Sequence, residues 1–368
     1  IYIIGLVYKL LNNITCYNAT ASKASANHIN DVLVNSIDEL ASGAKSRDED
    51  TQLNISSSQP KFSLSHVSVS DVHHAIESLS CSPAVGSDGI SLQMLRSLPV
   101  AAINAIVAIF NASINTGVYP KSWKHAHVTA IYKKGNIYDP INYRPISLLP
   151  VISKVFERLV NDQLRLFMED NKIIDDAQHG FRHKRSCETA LLNLTKTLFQ
   201  QRDRKQHSCV IALDFSRAFD TLNIGVLVKR IAAISEDNTA RWFESYLTCR
   251  QQSTKYCGAL SDPRSLSSGV PQGSVLGPTC FLLYINDLLK LLPPGCATAF
   301  ADDVTIVTSR DSLDKTVSCA ENTLAVVSAW AERNGLIINV SKCAAMIIAP
   351  NIKRSTPIIN SIRLRIAY

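Results

Sequence analysis

Long apolar runs are missing from this sequence. None reaches the ~18 residues that a membrane-spanning helix needs, although 46% of the 368 residues are hydrophobic. The opening "IYIIGLVYKLL" is too short for a span and is interrupted by Lys9. It also lacks the basic start and small-residue cleavage site of a signal peptide. No membrane partner is therefore expected. The ten cysteines include no C-x-x-C pair, so neither a zinc site nor a disulfide framework is suggested. Buried thiols in a reducing, intracellular compartment are expected instead. Asn18 and Asn54 begin N-x-S/T triplets, which chance explains better than glycosylation when no secretory signal accompanies them. There is no internal repeat and no regular βα alternation, which argues for an α+β fold rather than a parallel α/β sheet.

Acidic residues are in deficit. The 38 Lys and Arg exceed the 31 Asp and Glu, for a formal net charge of +7. Such a balance fits ordinary solubility or a polyanionic partner. Clustering favours the partner. Lys121, Lys124, Lys133, Lys134, Arg144, Lys154 and Arg158 share one segment with only Asp139 and Glu157. Arg182, Lys184 and Arg185 follow, then Arg202, Arg204 and Lys205.

The chain begins with Ile1, so its start is expected to lie upstream. Residues 1–60 read as a leader and linker, partly disordered, because "ASGAKSRDEDTQLNISSSQP" is polar and poor in aromatics. Order is expected from about Phe62. "SVSDVHHAIESL" has helical spacing with Ser70 or Asp71 as N-cap. His73 and His74 lie on that helix without a carboxylate or Cys at ligand spacing, and read as surface or core histidines. "AAINAIVAIFNASINTG" is a predicted helix ending at Gly117, and "HAHVTAIYKKG" a strand turning at Gly135. Helices are predicted over 151–169 and 187–200, then in "NIGVLVKRIAAI", "ARWFESYL", "GSVLGPTCFLLYINDLLKLL" and from Ser312 to Asn334. "CVIALDF" is a short apolar strand ending in Asp214. "TAFADDVTIVT" reads as two strands joined at its aspartates, and "GLIINVSKCAAMIIA" as strand, turn, strand.

Asp302 and Asp303 sit side by side in an otherwise apolar or β-branched run. Like charges there cost free energy unless a cation pairs with them. An Asp pair at a turn is common, because Asp favours turns and caps. Asp214, at a strand end, could join the pair, and such a cluster is tolerable if it holds divalent cations. Mg²⁺ prefers carboxylate oxygens and water. Two such ions ~4 Å apart can activate a hydroxyl and stabilise a leaving pyrophosphate.

The surrounding boxes narrow the choice. "AFADDVTIV" resembles the F/Y-x-D-D box of reverse transcriptases, and "VIALDFSRAFDTLN" resembles their first catalytic motif. "SSGVPQGSVLGPTCFLLYINDL" is similar to the motif between those two. "HVTAIYKKGNIYDPINYRPISLLPVISKVFERLV" and "QHGFRHKRSCETALL" resemble the fingers of polymerases from non-LTR retrotransposons of the jockey and chicken-repeat-like kind, and "WAERNGLIINVSKCAAMII" resembles the next motif downstream. Six boxes stand in the family's order from about Phe62 to Ala349. Ala130 stands where the family often has proline. The "YRPISLLPVISKVFERLV" and "YINDL" stretches fit this branch better than the group II intron or retron polymerases.

The resemblance implies a right-hand polymerase palm and fingers, with an antiparallel palm sheet packed on helices and the thumb missing. It divides the chain into an N-terminal helical extension over 61–120, fingers and palm over 121–349, and a truncated region over 350–368. It implies RNA-directed DNA synthesis with two Mg²⁺ ions (Mn²⁺ able to substitute), dNTPs, an RNA template and a DNA primer or target. It also implies access to the nucleus. Asp214, Asp302 and Asp303 would be metal ligands and Lys342 the acid that protonates pyrophosphate. Phe219 matches the family's steric gate against a 2′-hydroxyl, while Phe215 reads as core. Asp220 is expected to cap the helix starting near Asn223. Gln272 and Gly273 would lie at the nascent base pair, and Lys133 and Arg144 would hold the triphosphate. Arg182, Lys184, Arg185, Arg250 and Lys255 would line the template–primer path, where each phosphate neutralised adds ~0.9 to the salt slope. The alternative is a catalytically silent nucleic-acid-binding remnant or domesticated scaffold.

Overall fold

The computed structural model describes residues 22–43, 60–80, 84–136 and 139–349. The opening apolar stretch, the Asn18 and Asn54 triplets, the polar linker over 44–59 and the region from 350 onward lie outside the described residues. The fold is mixed α+β, and the chain divides into two units. Among the described residues, those within 22–40, 60–166 and 231–277 form the first, and those within 41–43, 167–230 and 278–349 the second. Among the described residues, no helix is long and apolar enough to cross a membrane.

The first unit is built on a mixed sheet. β1 (His125–Tyr132) pairs antiparallel with β2 (Tyr143–Leu148) and parallel with β4 (Arg250–Tyr256). The short β5 (Ala259–Leu260) and β6 (Arg264–Leu266) both pair with β4. Beside the sheet is an aromatic core drawn from α4 (Val100–Thr116), α5 (Val151–Asp170), α8 (Asp237–Leu247) and the chain around Tyr119. Phe110 stacks on Phe156 at 4.4 Å, and Trp242 meets Phe156 and Tyr119 edge-on at 5.3 and 5.4 Å. Rings at such offsets add ~0.5–1.5 kcal/mol per pair beyond their burial. The one polar atom of Trp242 is satisfied, since its indole N–H donates to Ser113 Oγ at 3.0 Å.

Two local details differ from the sequence reading. α1 (Lys23–Gly43) is a 21-residue helix inside the stretch read as leader, so order begins well before Phe62. Its Ala26, Leu33, Val34 and Ile37 are buried at helical spacing. Asn30, only 1% exposed, binds the sheet. It accepts from Gln252 Nε2 (3.0 Å) and Thr254 Oγ1 (2.9 Å), and donates to the Asp262 carbonyl (3.1 Å). Arg264 and Asp31 pair at the same contact. The N-cap of α2 (Val69–Ser78) is Ser68 rather than Ser70 or Asp71. Asp71 instead occupies the third helical position and closes a capping box back to Ser68. Gly117 ends α4 in the left-handed conformation, as its position predicts.

The second unit carries an antiparallel sheet in the order β7 (Ala297–Phe300), β8 (Asp303–Arg310), β3 (His207–Leu213) and β9 (Ala344–Ile348). Cys209, Ile211 and Leu213 lie opposite Thr308, Ile306 and Val304, and all six are buried. α6 (Cys187–Asp203) and α10 (Leu313–Arg333) pack on this sheet. The "GLIINV" stretch forms only an isolated bridge, Ile338 to Phe215, and β9 is the strand that follows. α9 (Gly277–Leu291) contributes Phe281, Tyr284 and Ile285, which have no exposed surface. Cys257, in the first unit, is disulfide-bonded, and Cys187 and Cys249 are exposed, which corrects the expectation of buried thiols without disulfides. Spacing rules detect neighbouring cysteines and are blind to pairs that only the fold brings together.

Replacing Asn30 with Ala leaves the Gln252 and Thr254 side chains without their shared acceptor. Asn30→Ala is expected to cost about 1–3 kcal/mol, read as a lowered urea midpoint at unchanged slope. Glu157 gives a second test. It is fully buried, and its Oε2 accepts the Val275 and Leu276 amides at 2.8 and 3.3 Å. Burial pushes its carboxyl above the usual carboxylate range, against the opposing pull of Arg250 and those two amides. A carboxyl raised on folding stabilises below its ordinary value and loses that contribution as pH climbs through the raised one. Glu157→Gln keeps an acceptor and removes the titration. Its stability relative to the parent should therefore rise as pH climbs above the ordinary carboxylate range, measured by urea unfolding at each pH.

Candidate active site

The acidic residues converge through strand register. β3 and β8 end their ladder on the pair Leu213–Val304, and β7 meets β8 at Phe300–Asp303. One residue further along β3 is Asp214, and one residue back along β8 is Asp303. Asp214 and Asp303 thus fall opposite each other, and Asp302 stands in the two-residue turn beside them. Side chains alternate along a strand, so Asp214 and Asp303 share the face opposite to buried Leu213 and Val304. Asp303 is exposed, and Asp302 and Asp214 are half-buried.

Each carboxylate is held by a different local device. Asp214 is fixed by the loop after α10: its carbonyl accepts the Asn339 amide at 2.8 Å, and its own amide donates to Cys343 Sγ at 3.4 Å. Lys342 reaches back to place Nζ 2.9 Å from Asp214 Oδ2. The turn at 301–302 takes its shape from Ala301, whose φ is +56°. That left-handed conformation is costly for a residue with a Cβ and is held here by neighbours. Gly180 lies so close that a Cβ on it would stand 2.3 Å from the Ala301 nitrogen. The side chain of Gln178 hydrogen-bonds both backbone groups of Ala301.

Among the described residues, no group of three or more His, Cys, Asp or Glu side chains is arranged to hold a metal ion. The backbone brings the three aspartates together, but their side chains do not converge on one point, and Lys342 engages one of them. The donor set itself suits a hard divalent cation, being all carboxylate oxygen at a solvent-reached strand end.

Phe219 stacks on Phe281 at 4.3 Å and 19°, with Phe181 edge-on at 6.4 Å. Phe215 is buried at 4% exposure. The cap of α7 (Ile224–Ile234) is Asn223, whose Oδ1 accepts the Val226 amide at 3.1 Å. Asp220, expected there, lies too early in the chain for that bond.

In the first unit, Lys133 and Arg144 share one face at the loop end of the β1–β2 hairpin. Arg144 pairs with Ile131, and the Lys133 amide donates to the Asn142 carbonyl. Both side chains are exposed. The Gln272 carbonyl accepts the Ser147 amide at 2.7 Å. Gly273 follows at φ +127°, where an added Cβ would stand 2.4 Å from the Ser147 carbonyl oxygen. Only glycine fits there.

The basic residues assigned to a nucleic-acid path divide. Lys184 and Lys255 are exposed. Arg185 pairs with the open Asp176 at 2.8 Å, a surface contact that a phosphate could displace. Arg182 is committed elsewhere: it makes a two-pronged bond to Glu169 and donates to the Asp175 carbonyl, with only 8% of its side chain exposed. Arg250 is buried at 3% exposure, donating to the Tyr246 carbonyl and lying over its ring. These two are structural arginines, which corrects their placement on a surface path.

Sequence reasoning missed Gln178 and Glu157, because neither follows a capping or periodicity rule. Their only signal was membership in boxes already quoted. It also missed that "YINDL" is architectural. Tyr284 donates to the Asn334 carbonyl, Asn286 binds the Asp175 amide and the Ile173 carbonyl, and Asp287 pairs with Arg230 at 2.9 Å.

The sequence matches the family model described as reverse transcriptase (RNA-dependent DNA polymerase) over residues 131–358. It is 31% identical over 292 residues to a probable RNA-directed DNA polymerase from transposon BS of Drosophila melanogaster, covering 77% of this chain and 32% of the relative. The corresponding protein of transposon X-element, from the same organism, is 34% identical over 297 residues, covering 78% and 32%. The polymerase from mobile element jockey is 29% identical over 299 residues, covering 79% and 33%. The chain thus spans about a third of the length of these relatives. With the acidic strand ends, the glycine-bound turns and these matches together, the chain belongs to the reverse transcriptase family, in its non-LTR, jockey-like branch.

Proposed function

We propose that this chain is the palm and fingers portion of an RNA-directed DNA polymerase that extends a DNA 3′ end on an RNA template. The observation that carries the reading is the register that sets Asp214 opposite Asp303 with Asp302 in the adjoining turn. The second unit is the palm and the first the fingers. Asp214, Asp302 and Asp303 would hold two Mg²⁺ ions, with Mn²⁺ able to substitute. Metal held by these carboxylates would supply activation of the primer hydroxyl and stabilisation of the leaving pyrophosphate. An Asp side chain moves between staggered rotamers at small cost, so the carboxylates can turn toward a shared cation.

The remaining residues bind, orient and exclude. Phe219 is the steric gate, its ring braced by Phe281 so that it cannot yield to a 2′-hydroxyl. Lys342 is the proton donor to pyrophosphate, already held at Asp214. Lys133 and Arg144 bind triphosphate oxygens, Arg through its planar fork and Lys as a point charge. Gln272 contacts the nucleotide, and Gly273 keeps the backbone close beneath it. Lys184, Arg185 and Lys255 contact the nucleic-acid backbone, giving a salt-sensitive grip.

A second reading, a nucleic-acid-binding chain without catalysis, is favoured by the ion pair of Lys342 with Asp214 and by the absence of a ready metal cluster among the described residues. Primer extension on poly(rA)/oligo(dT) separates the two. The assay should be run on this chain and on one lengthened at its C-terminal end with the corresponding portion of the transposon BS relative. Extension is expected to require Mg²⁺ or Mn²⁺ and to fall about a hundred- to a thousandfold in Asp302→Asn, the scale of losing a group that stabilises charge in the transition state. Metal-independent binding with no extension in either form supports the scaffold.

Phe219→Ala tests the gate separately. Ribonucleotide incorporation relative to deoxyribonucleotide should rise by about tenfold or more, since an opened apolar pocket is worth ~1–3 kcal/mol in discrimination. Unchanged sugar selectivity in competition assays refutes the gate.

A further inference from the structure

The turn that carries Asp302 and Asp303 is bordered by β8 on one side and by residues 177–180 on the other. β7 is the outer strand of its sheet. The 177–179 segment covers its free edge: the Ala299 amide donates to the Ala177 carbonyl and the His179 amide to the Ala299 carbonyl, both at 2.8 Å. Between those bonds lies Gln178, with no exposed surface. Its Oε1 accepts the Gly180 amide at 2.8 Å and the Ala301 amide at 2.9 Å, and its Nε2 donates to the Ala301 carbonyl at 3.2 Å. Two amide donors on one end and a carbonyl on the other allow a single orientation of the side-chain amide. Every polar atom of the Ala301 backbone is thereby bound to one side chain, at the residue whose φ of +56° aims the chain into Asp302.

We propose that Gln178 is a positioning residue for the metal-binding carboxylates. Its amide sets the backbone of the turn and so the placement of Asp302 and Asp303. This rests on the polymerase reading of the same aspartates. Such outer partners orient ligands without touching the metal, and their loss typically weakens metal affinity about 10–100-fold. The contact is specific to the turn, because the remainder of the 177–179 segment is held by backbone bonds that a side-chain change leaves in place.

The test uses Mn²⁺ bound to the 368-residue chain, followed by electron paramagnetic resonance, with Asp302→Asn as the control for the site. Gln178→Met keeps the side chain's length and removes all three bonds. Gln178→Glu keeps the two accepted bonds. The Mn²⁺ dissociation constant is expected to rise about tenfold in Gln178→Met and by less in Gln178→Glu, measured below the thermal transition of each variant. In extension assays on the lengthened chain, kcat should fall with the Mn²⁺ affinity while the KM for dTTP stays within about twofold, the signature of lost placement rather than lost nucleotide binding. Unchanged Mn²⁺ affinity and kcat in Gln178→Met overturn the proposal and leave the polymerase reading standing. Should Gln178→Met fail to fold, Gln178→Glu decides by the same criterion. A parent chain that binds Mn²⁺ through Asp302, loses affinity in Gln178→Met, and never extends a primer upholds the positioning role while removing the polymerase. No Mn²⁺ binding by the parent overturns both.

Discussion

Antiparallel pairing between β3 and β8 places the carboxylates, and that pairing is set by buried apolar residues rather than by the acids. Leu213, Ile211 and Cys209 face Val304, Ile306 and Thr308 across the ladder, all buried. Burying one large aliphatic side chain is worth roughly 1.5–3 kcal/mol, so the correct register gains several such contributions at once. A slip of one residue would turn the whole set to the other face. It would also carry Asp303 toward the buried side, where an unpaired carboxylate is costly. The apolar alternation therefore selects the one register in which Asp214 and Asp303 sit side by side on the more open face. The acids themselves oppose that arrangement by repulsion and are carried along by the core beneath them.

Away from the sheet, precision comes from single buried polar side chains. In the first unit, Glu157 accepts the amides of Val275 and Leu276 and so holds the end of the "PQGSVL" loop. In the second, Gln178 holds the turn before Asp302. Each sits where a loop has backbone groups that no ladder or helix satisfies. An unpaired buried amide costs about 1–3 kcal/mol, which makes such a side chain hard to replace by an apolar one. The same logic explains "YINDL". Its Asn286 satisfies the Asp175 amide and the Ile173 carbonyl, and its Asp287 neutralises the buried Arg230. A signature box in this chain is thus a mixture of chemistry and scaffolding. Only the neighbours of each residue separate the two.

That distinction also explains what could be read from the sequence. Elements governed by local rules were legible: the helix ending at Gly117, the strand ending at Asp214, the helix from Ser312 to Asn334, and the hairpin at the aspartates. Their signals are periodicity, caps and turn chemistry within a few residues. Features that depend on distant partners were not legible. Composition made the leader look disordered, yet α1 is held by Asn30 against β4 and the Asp262 carbonyl, more than 220 residues away. Arg182 and Arg250 looked like surface cations, because their partners Glu169 and the Tyr246 carbonyl, though near in sequence, do not announce the packing that buries both arginines. The Asp302–Asp303 pair was legible as an anomaly. That Lys342 would be the cation found beside Asp214 was not, since only the loop after α10 brings it there.

The two cation–carboxylate contacts near this site differ in kind. Arg182 grips Glu169 with two parallel bonds and is nearly enclosed, so breaking the pair would strand a buried charge. Lys342 meets Asp214 through one bond, with 45% and 31% of the two side chains open to water. Its flexible stem and single point charge hold no fixed geometry, and such a half-exposed pair is worth about 1 kcal/mol or less. Asp214 can therefore change partners at little cost, whereas the segment that braces the turn before Asp302 cannot. Under the proposed polymerase reading, a carboxylate that exchanges cations needs the loose kind of contact that Lys342 makes, and the scaffold that aims it needs the rigid kind that Arg182 makes.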